Sequence, residues 1–147
     1  MWTIFSSIFS IEYTPTSTPE GKNLDQYMKL KKAVLNKGIC IWDVLSNVHE
    51  KKPNLERNKR QKTNNIQSLN ANDINKFLIE YPTIEAILFI GKKPQTTYLK
   101  MNKVKLESKW NVEFIVLPSS SSANSRMTKE EKVTEWKESL SAFIKDF

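Results

Sequence analysis

The chain reads as an α/β layered domain with a short parallel sheet covered by helices, and three features of the sequence carry that reading. Three short apolar runs are nearly continuous rather than alternating, as strands buried on both faces require. Segments with helical spacing of apolar residues lie between them. The alternation of the two patterns is what packed layers of strands and helices produce. At 147 residues the chain is most simply one domain, long enough to bury an ordinary core.

In chain order, the first twelve residues admit two readings. Met1, Phe5, Ile8 and Ile11 line one helix face, whereas Phe9, Ile11 and Tyr13 alternate as in a strand. Residues 24–36 are helical, with Leu24, Met28 and Leu35 on one side, and Gly38 is the stop. Residues 38–42 ("GICIW") form the first expected strand. Residues 50–70 are polar and basic and read as a surface loop, either a solvated connector or a phosphate-facing patch of Lys51, Lys52, Arg57, Lys59, Arg60 and Lys62. Ile74, Phe77, Leu78 and Tyr81 fall at i, i+3, i+4 and i+7 over residues 73–81, and Pro82 ends that helix. Residues 84–90 ("IEAILFI") and 112–117 ("VEFIVL") are the second and third expected strands. Over residues 128–147, Val133, Trp136, Leu140, Phe143 and Ile144 make one stripe, and Thr128 with Glu131 has the spacing of a capping box.

Composition narrows the function classes. The formal charge of +7 leans toward a polyanionic partner such as nucleic acid. Cys40 is the sole cysteine, so an internal disulfide is excluded and a reducing, intracellular setting is expected. One cysteine and one histidine, without ligand spacing, do not make a zinc site, and no metal is expected. No apolar run is long enough to cross a membrane as a helix, and residues 1–11 lack the basic start and small-residue cleavage site of a signal peptide.

Several residues carry two readings. Asp43, just past an expected strand end, is a conceivable general base, or else the cap of a helix starting at Val44. Trp42 is a core residue or a platform for a stacked base. Cys40 reads as packing and His49 as a surface histidine. The stretch "VLPSSSSANSRMTKEEKVTEW" (116–136) leaves a strand through four serines before a helix. It is a flexible spacer, a turn with a cap, or a loop that holds a phosphate chain.

"GICIWDVL" (38–45), "TIEAILFIGKKP" (83–94) and "LPSSSSAN" (117–124), followed by a helix with Trp136, resemble the uracil-DNA glycosylase superfamily. The likeness is nearest to its hypoxanthine (deoxyinosine) and mismatch-specific branch, and it covers most of the chain. The resemblance implies a three-layer sandwich with a parallel sheet between helices, and hydrolysis of the bond joining a deaminated or mismatched base, uracil or hypoxanthine, to its sugar. It places Ser119, Ser120, Ser121 and Asn124, with Lys92 and Lys93, on the DNA backbone, and Trp42, Ile90 and Gly91 at the base pocket. Small hydroxyls and backbone N–H groups before a helix suit such contact. Base hydrolysis needs no cofactor, and none is implied. DNA is the implied partner, and the implied location is intracellular, cytoplasmic or nucleoid-associated.

Two departures from the family pattern bear on activity. The family's water-positioning asparagine belongs to a segment that would lie before Met1, so Asp43 is the one weak catalytic candidate left. Ile90 stands where the family has a base-reading asparagine. An isoleucine leaves a polar base edge unpaired at about 1–3 kcal/mol per group. A catalytically inactive relative that binds DNA or protein is therefore the alternative. The same comparison implies a missing or replaced N-terminal strand in mid-sheet. The gap is expected to be closed by residues 1–13 as a strand, by pairing of 38–42 with 84–90, or by a partner chain or second copy, since unpaired backbone groups are costly.

Overall fold

The computed structural model describes residues 1–15, 23–47, 70–101 and 111–145. They form a mixed α/β structure of helices α1 (Trp2–Phe9), α2 (Leu24–Asn36), α3 (Ile74–Glu80), α4 (Lys92–Met101) and α5 (Lys129–Ser141). Its strands are β1 (Leu45–Asn47), β2 (Asn70–Ala71), β3 (Ala86–Ile90) and β4 (Glu113–Leu117). β3 and β4 pair in parallel from Ala86↔Glu113 to Ile90↔Leu117, while β1 and β2 make a separate antiparallel pair. The basic patch of the 50–70 loop and His49 lie outside the described residues.

The pleat of β3 divides the core in two. Leu88 and Ile90 face a cluster built from Ile4, Phe5, Leu30, Val34, Trp136 and Leu140, contributed by α1, α2 and α5. Ile87 and Phe89 face the other side, onto Ile74 and Leu78 of α3 and Tyr98 of α4. Helices thus cover both faces of β3, which explains why "AILFI" is apolar at every position. Tyr98 is buried and donates its hydroxyl to Asn75 Oδ1 at 2.9 Å. Burial pushes its ionisation above the ordinary tyrosine value.

Local chemistry sets the helix limits. Thr128 Oγ1 accepts from Glu131 N–H at 3.2 Å while Glu131 Oε2 accepts from Thr128 N–H at 2.7 Å, the capping box expected from the sequence. At the end of α2, Gly38 adopts φ +75°. Its N–H reaches Leu35 O and the next N–H reaches Val34 O, a Schellman closure. The opening segment is a helix, with Ile4, Phe5 and Ile8 buried against α2 and α5.

Several sequence expectations are corrected. Residues 38–42 are not a strand: the strand lies further on, at β1, and Cys40, Ile41 and Trp42 are exposed. The apolar run that suggested a strand instead borders a cavity. No helix starts at Val44, so Asp43 caps nothing, and its carbonyl accepts from Asn72 Nδ2 at 2.7 Å. In α2 the buried residues are Leu30 and Val34, one turn apart, whereas Leu24, Met28 and Leu35 are exposed. α5 ends at Ser141, short of residue 147. Neither intramolecular closure of the sheet occurs, because residues 2–9 are helical and β3 pairs only with β4 among the described residues.

Candidate nucleic-acid interface

The carboxyl ends of β3 and β4 lie side by side, and the turns leaving them are in contact. Gly91 ends β3 at φ +101°, a conformation L side chains rarely adopt, and its N–H donates to Leu117 O at 3.0 Å. A Cβ at this position would sit 3.3 Å from Ser119 Cβ. Glycine is therefore needed twice here, for the backbone angle and for the close approach of the serine loop. α4 starts immediately, which puts Lys92 and Lys93, both exposed, in its first turn beside that loop. The first N–H groups of a helix have no partners within it and carry partial positive charge.

The serine loop is shaped by its own hydroxyls and by α5. Ser119 Oγ accepts from Ser121 N–H at 3.3 Å, and Ser121 Oγ accepts from Ala123 N–H at 3.2 Å. These are the local turn bonds expected of serine, and each hydroxyl keeps its O–H to donate. The Ser120 hydroxyl and the Asn124 amide have no partner among the described residues. Beneath the loop, Lys132 is only 6% exposed, and its Nζ donates to Ser121 O at 3.1 Å and Asn124 O at 2.9 Å. Trp136, one turn further along α5, donates Nε1–H to Pro118 O at 2.9 Å and meets Phe5 edge-on at 5.5 Å. The carbonyls of Pro118, Ser121 and Asn124 are thus held by side chains of α5.

Sequence reasoning missed Lys132 and Trp136 as supports of this loop. The signal was present in the spacing: Lys132, Trp136 and Leu140 recur every fourth residue on the buried face of α5. A lysine in such a stripe must satisfy its head group, and the nearest acceptors are the carbonyls of the preceding loop.

A cavity of about 630 Å³ adjoins this surface, and its wall includes Trp42, Asp43, Ile90 and Lys93. Trp42 is 48% exposed and rests edge-on against Phe77 at 4.4 Å. The expected site residues therefore fall into two neighbouring groups. Trp42, Asp43, Ile90 and Lys93 share the cavity, while Gly91, Lys92, Ser119, Ser120, Ser121 and Asn124 make the strand-end surface outside it. Among the described residues, Asp43 is the only carboxylate on the cavity wall, and no second carboxylate or histidine of theirs stands beside it there to complete an acid–base pair. Among the described residues, no cluster of three or more metal-ligating side chains occurs, and no helix is long and apolar enough to cross a membrane.

Comparison with protein-family models, with curated proteins and with solved structures finds no match to this chain.

Proposed function

We propose that this chain binds the sugar–phosphate backbone of DNA at the carboxyl end of its parallel strands, on a scaffold similar to that of the uracil-DNA glycosylases, and does so without hydrolysing a base. The observation that carries this reading is the contact of Gly91 with Ser119, which brings the lysines of one strand-end turn beside the hydroxyls of the other. The two turns together offer Lys92, Lys93, three serine O–H groups, the Asn124 amide and the N-terminal N–H groups of α4. All can donate to phosphate oxygen, and no carboxylate lies among them. The formal charge of +7 favours the same partner. Ile90, where the resemblance implies an asparagine, supplies no group to read a base edge, which favours binding over catalysis.

Fluorescence anisotropy with labelled duplex and single-stranded DNA tests the reading. Changing Ser119, Ser120 and Ser121 together to alanine is expected to weaken binding by about ten- to a hundredfold, from about 1 kcal/mol for each neutral hydrogen bond lost. Uracil- and hypoxanthine-containing duplexes are expected to release no base. Unchanged affinity in the triple variant would remove the serine loop from the interface.

A second reading, a glycosylase that hydrolyses a deaminated base, rests on Asp43 standing beside Trp42 on the cavity wall. There the carboxylate would activate water while the indole stacked on the extruded base. Base release that disappears in Asp43→Asn would establish this second reading in place of the first.

A further inference from the structure

The parallel ladder fixes which backbone groups of β3 remain unpaired. Glu113 N–H donates to Glu85 O, and Gly91 N–H donates to Leu117 O. With the two-residue repeat of a strand, residues 85, 87, 89 and 91 therefore turn their polar groups toward β4. The N–H groups of Ala86, Leu88 and Ile90, and the carbonyls of Ala86 and Leu88, point the opposite way. None of them has a backbone partner among the described residues. The cavity of about 630 Å³ is lined both by residues 86–90 of β3 and by residues 39–45.

The cavity wall draws on both halves of the core. Phe5, Trp136 and Leu140 come from one cluster, and Ile74, Leu78 and Phe89 come from the other. The occupant must therefore present apolar groups to both faces of the sheet while offering backbone donors and acceptors along the edge between them. An extended peptide does this, because its side chains alternate above and below a line of N–H and C=O groups. A flat aromatic ligand offers no such line. Among the described residues, the charged side chains on the wall are those of Asp43 and Lys93, so the strand is apolar on both sides.

We propose that this cavity is a slot for a single extended, continuously apolar strand of a partner polypeptide, added beside β3 to make a three-stranded sheet. Residues 16–22, 48–69 and 102–110 nowhere place two apolar residues side by side, so none of these three stretches is such a segment. A second copy's β3 has the right composition but already carries β4 on its other edge, so it would bring a two-stranded sheet rather than a single strand to a cavity lined by residues 39–45. Strand addition of this kind draws affinity from main-chain hydrogen bonds and specificity from the side-chain pockets. It does not rest on the DNA reading: the two share Lys93, which lines the slot, while Lys92 and the serine loop lie outside it.

The test uses the wild-type protein and a synthetic peptide, Val-Ile-Val-Leu-Ile-Val, flanked by lysines for solubility. Hydrogen exchange should slow by about tenfold or more at the amides of Ala86, Leu88 and Ile90, with Ile87 and Phe89 unchanged. The thiol of Cys40, exposed on the slot wall, should react more slowly with a disulfide reagent. N-methylation of one alternate set of peptide amides should abolish both effects. Ile41→Lys, at an exposed wall position, should abolish them without lowering thermal stability. The proposal is overturned if the peptide protects none of these amides, if an alternating Val-Lys peptide protects them equally, or if both methylated sets bind as well as the parent. Concentration-dependent protection in the protein alone would overturn it in favour of a second copy.

Discussion

Replacing Lys132 with methionine probes how the serine loop is held. The lysine head group makes hydrogen bonds of 3.1 and 2.9 Å to Ser121 O and Asn124 O from a position that is 6% exposed. Bonds from a charged donor contribute about 1.5–3 kcal/mol each, so the pair has a ceiling of ~3–6 kcal/mol. Two effects reduce that figure. Ser121 is exposed, so its carbonyl regains water once the lysine is gone. Removing a buried ammonium also relieves its desolvation cost. Methionine fills nearly the same unbranched volume, so little packing is lost. The net destabilisation is about 1–2 kcal/mol, or a fall in Tm of about 3–6 °C for a chain of this size. Urea unfolding followed by circular dichroism should show a lower midpoint with the same slope. Amide exchange should accelerate at 119–124 more than in α5. A variant as stable as wild type, or more stable, would refute the clamp and show Lys132 to be merely a tolerated burial.

Further outcomes follow from single contacts. Gly91→Ala forces a Cβ into a left-handed backbone and against Ser119, and should cost about 1–3 kcal/mol in denaturant unfolding and weaken DNA binding with it. Thr128→Ala removes half of the capping box and should lower stability by about 1 kcal/mol while leaving the β3–β4 ladder intact by amide exchange. Burial holds the Tyr98 hydroxyl protonated in the folded state at a pH where the unfolded chain ionises, so stability is level below about 10 and falls as pH rises above it. Tyr98→Phe should flatten that alkaline decline in a pH series of urea midpoints.

The helices were the most legible part of the sequence where caps and stripes agreed. Thr128 with Glu131 announced α5 and Gly38 ended α2; Asp73, read from the sequence as the first residue of its helix, is instead the cap of α3, its Oδ1 accepting from Lys76 N–H at 2.9 Å. β3 was visible as an unbroken apolar run because helices cover both its faces, and β4 as a nearly continuous one although Phe114 and Val116 are exposed. "GICIW" has the same composition yet forms no strand, since composition alone cannot say whether an apolar run lies in a sheet or on a cavity wall. α4 went unseen because "KKPQTTYLKM" holds a proline, two threonines and one buried side chain, Tyr98. Pro94 is tolerated there because first-turn N–H groups have no helical partners to lose. At the site, the serine loop and Gly91 could be named from sequence, but their contact is a tertiary fact. The burial of Lys132 was legible in its spacing with Trp136 and Leu140, but which loop carbonyls it holds is a tertiary fact.

The salt dependence of DNA binding bears most directly on the proposed interface. The logarithm of affinity should fall linearly with the logarithm of salt concentration, and the Lys92→Ala, Lys93→Ala double variant should lose about two units of that slope, close to one per phosphate contact removed. A double variant whose slope and affinity match wild type would contradict the account, because the lysines beside Gly91 would then face solvent without touching a phosphate.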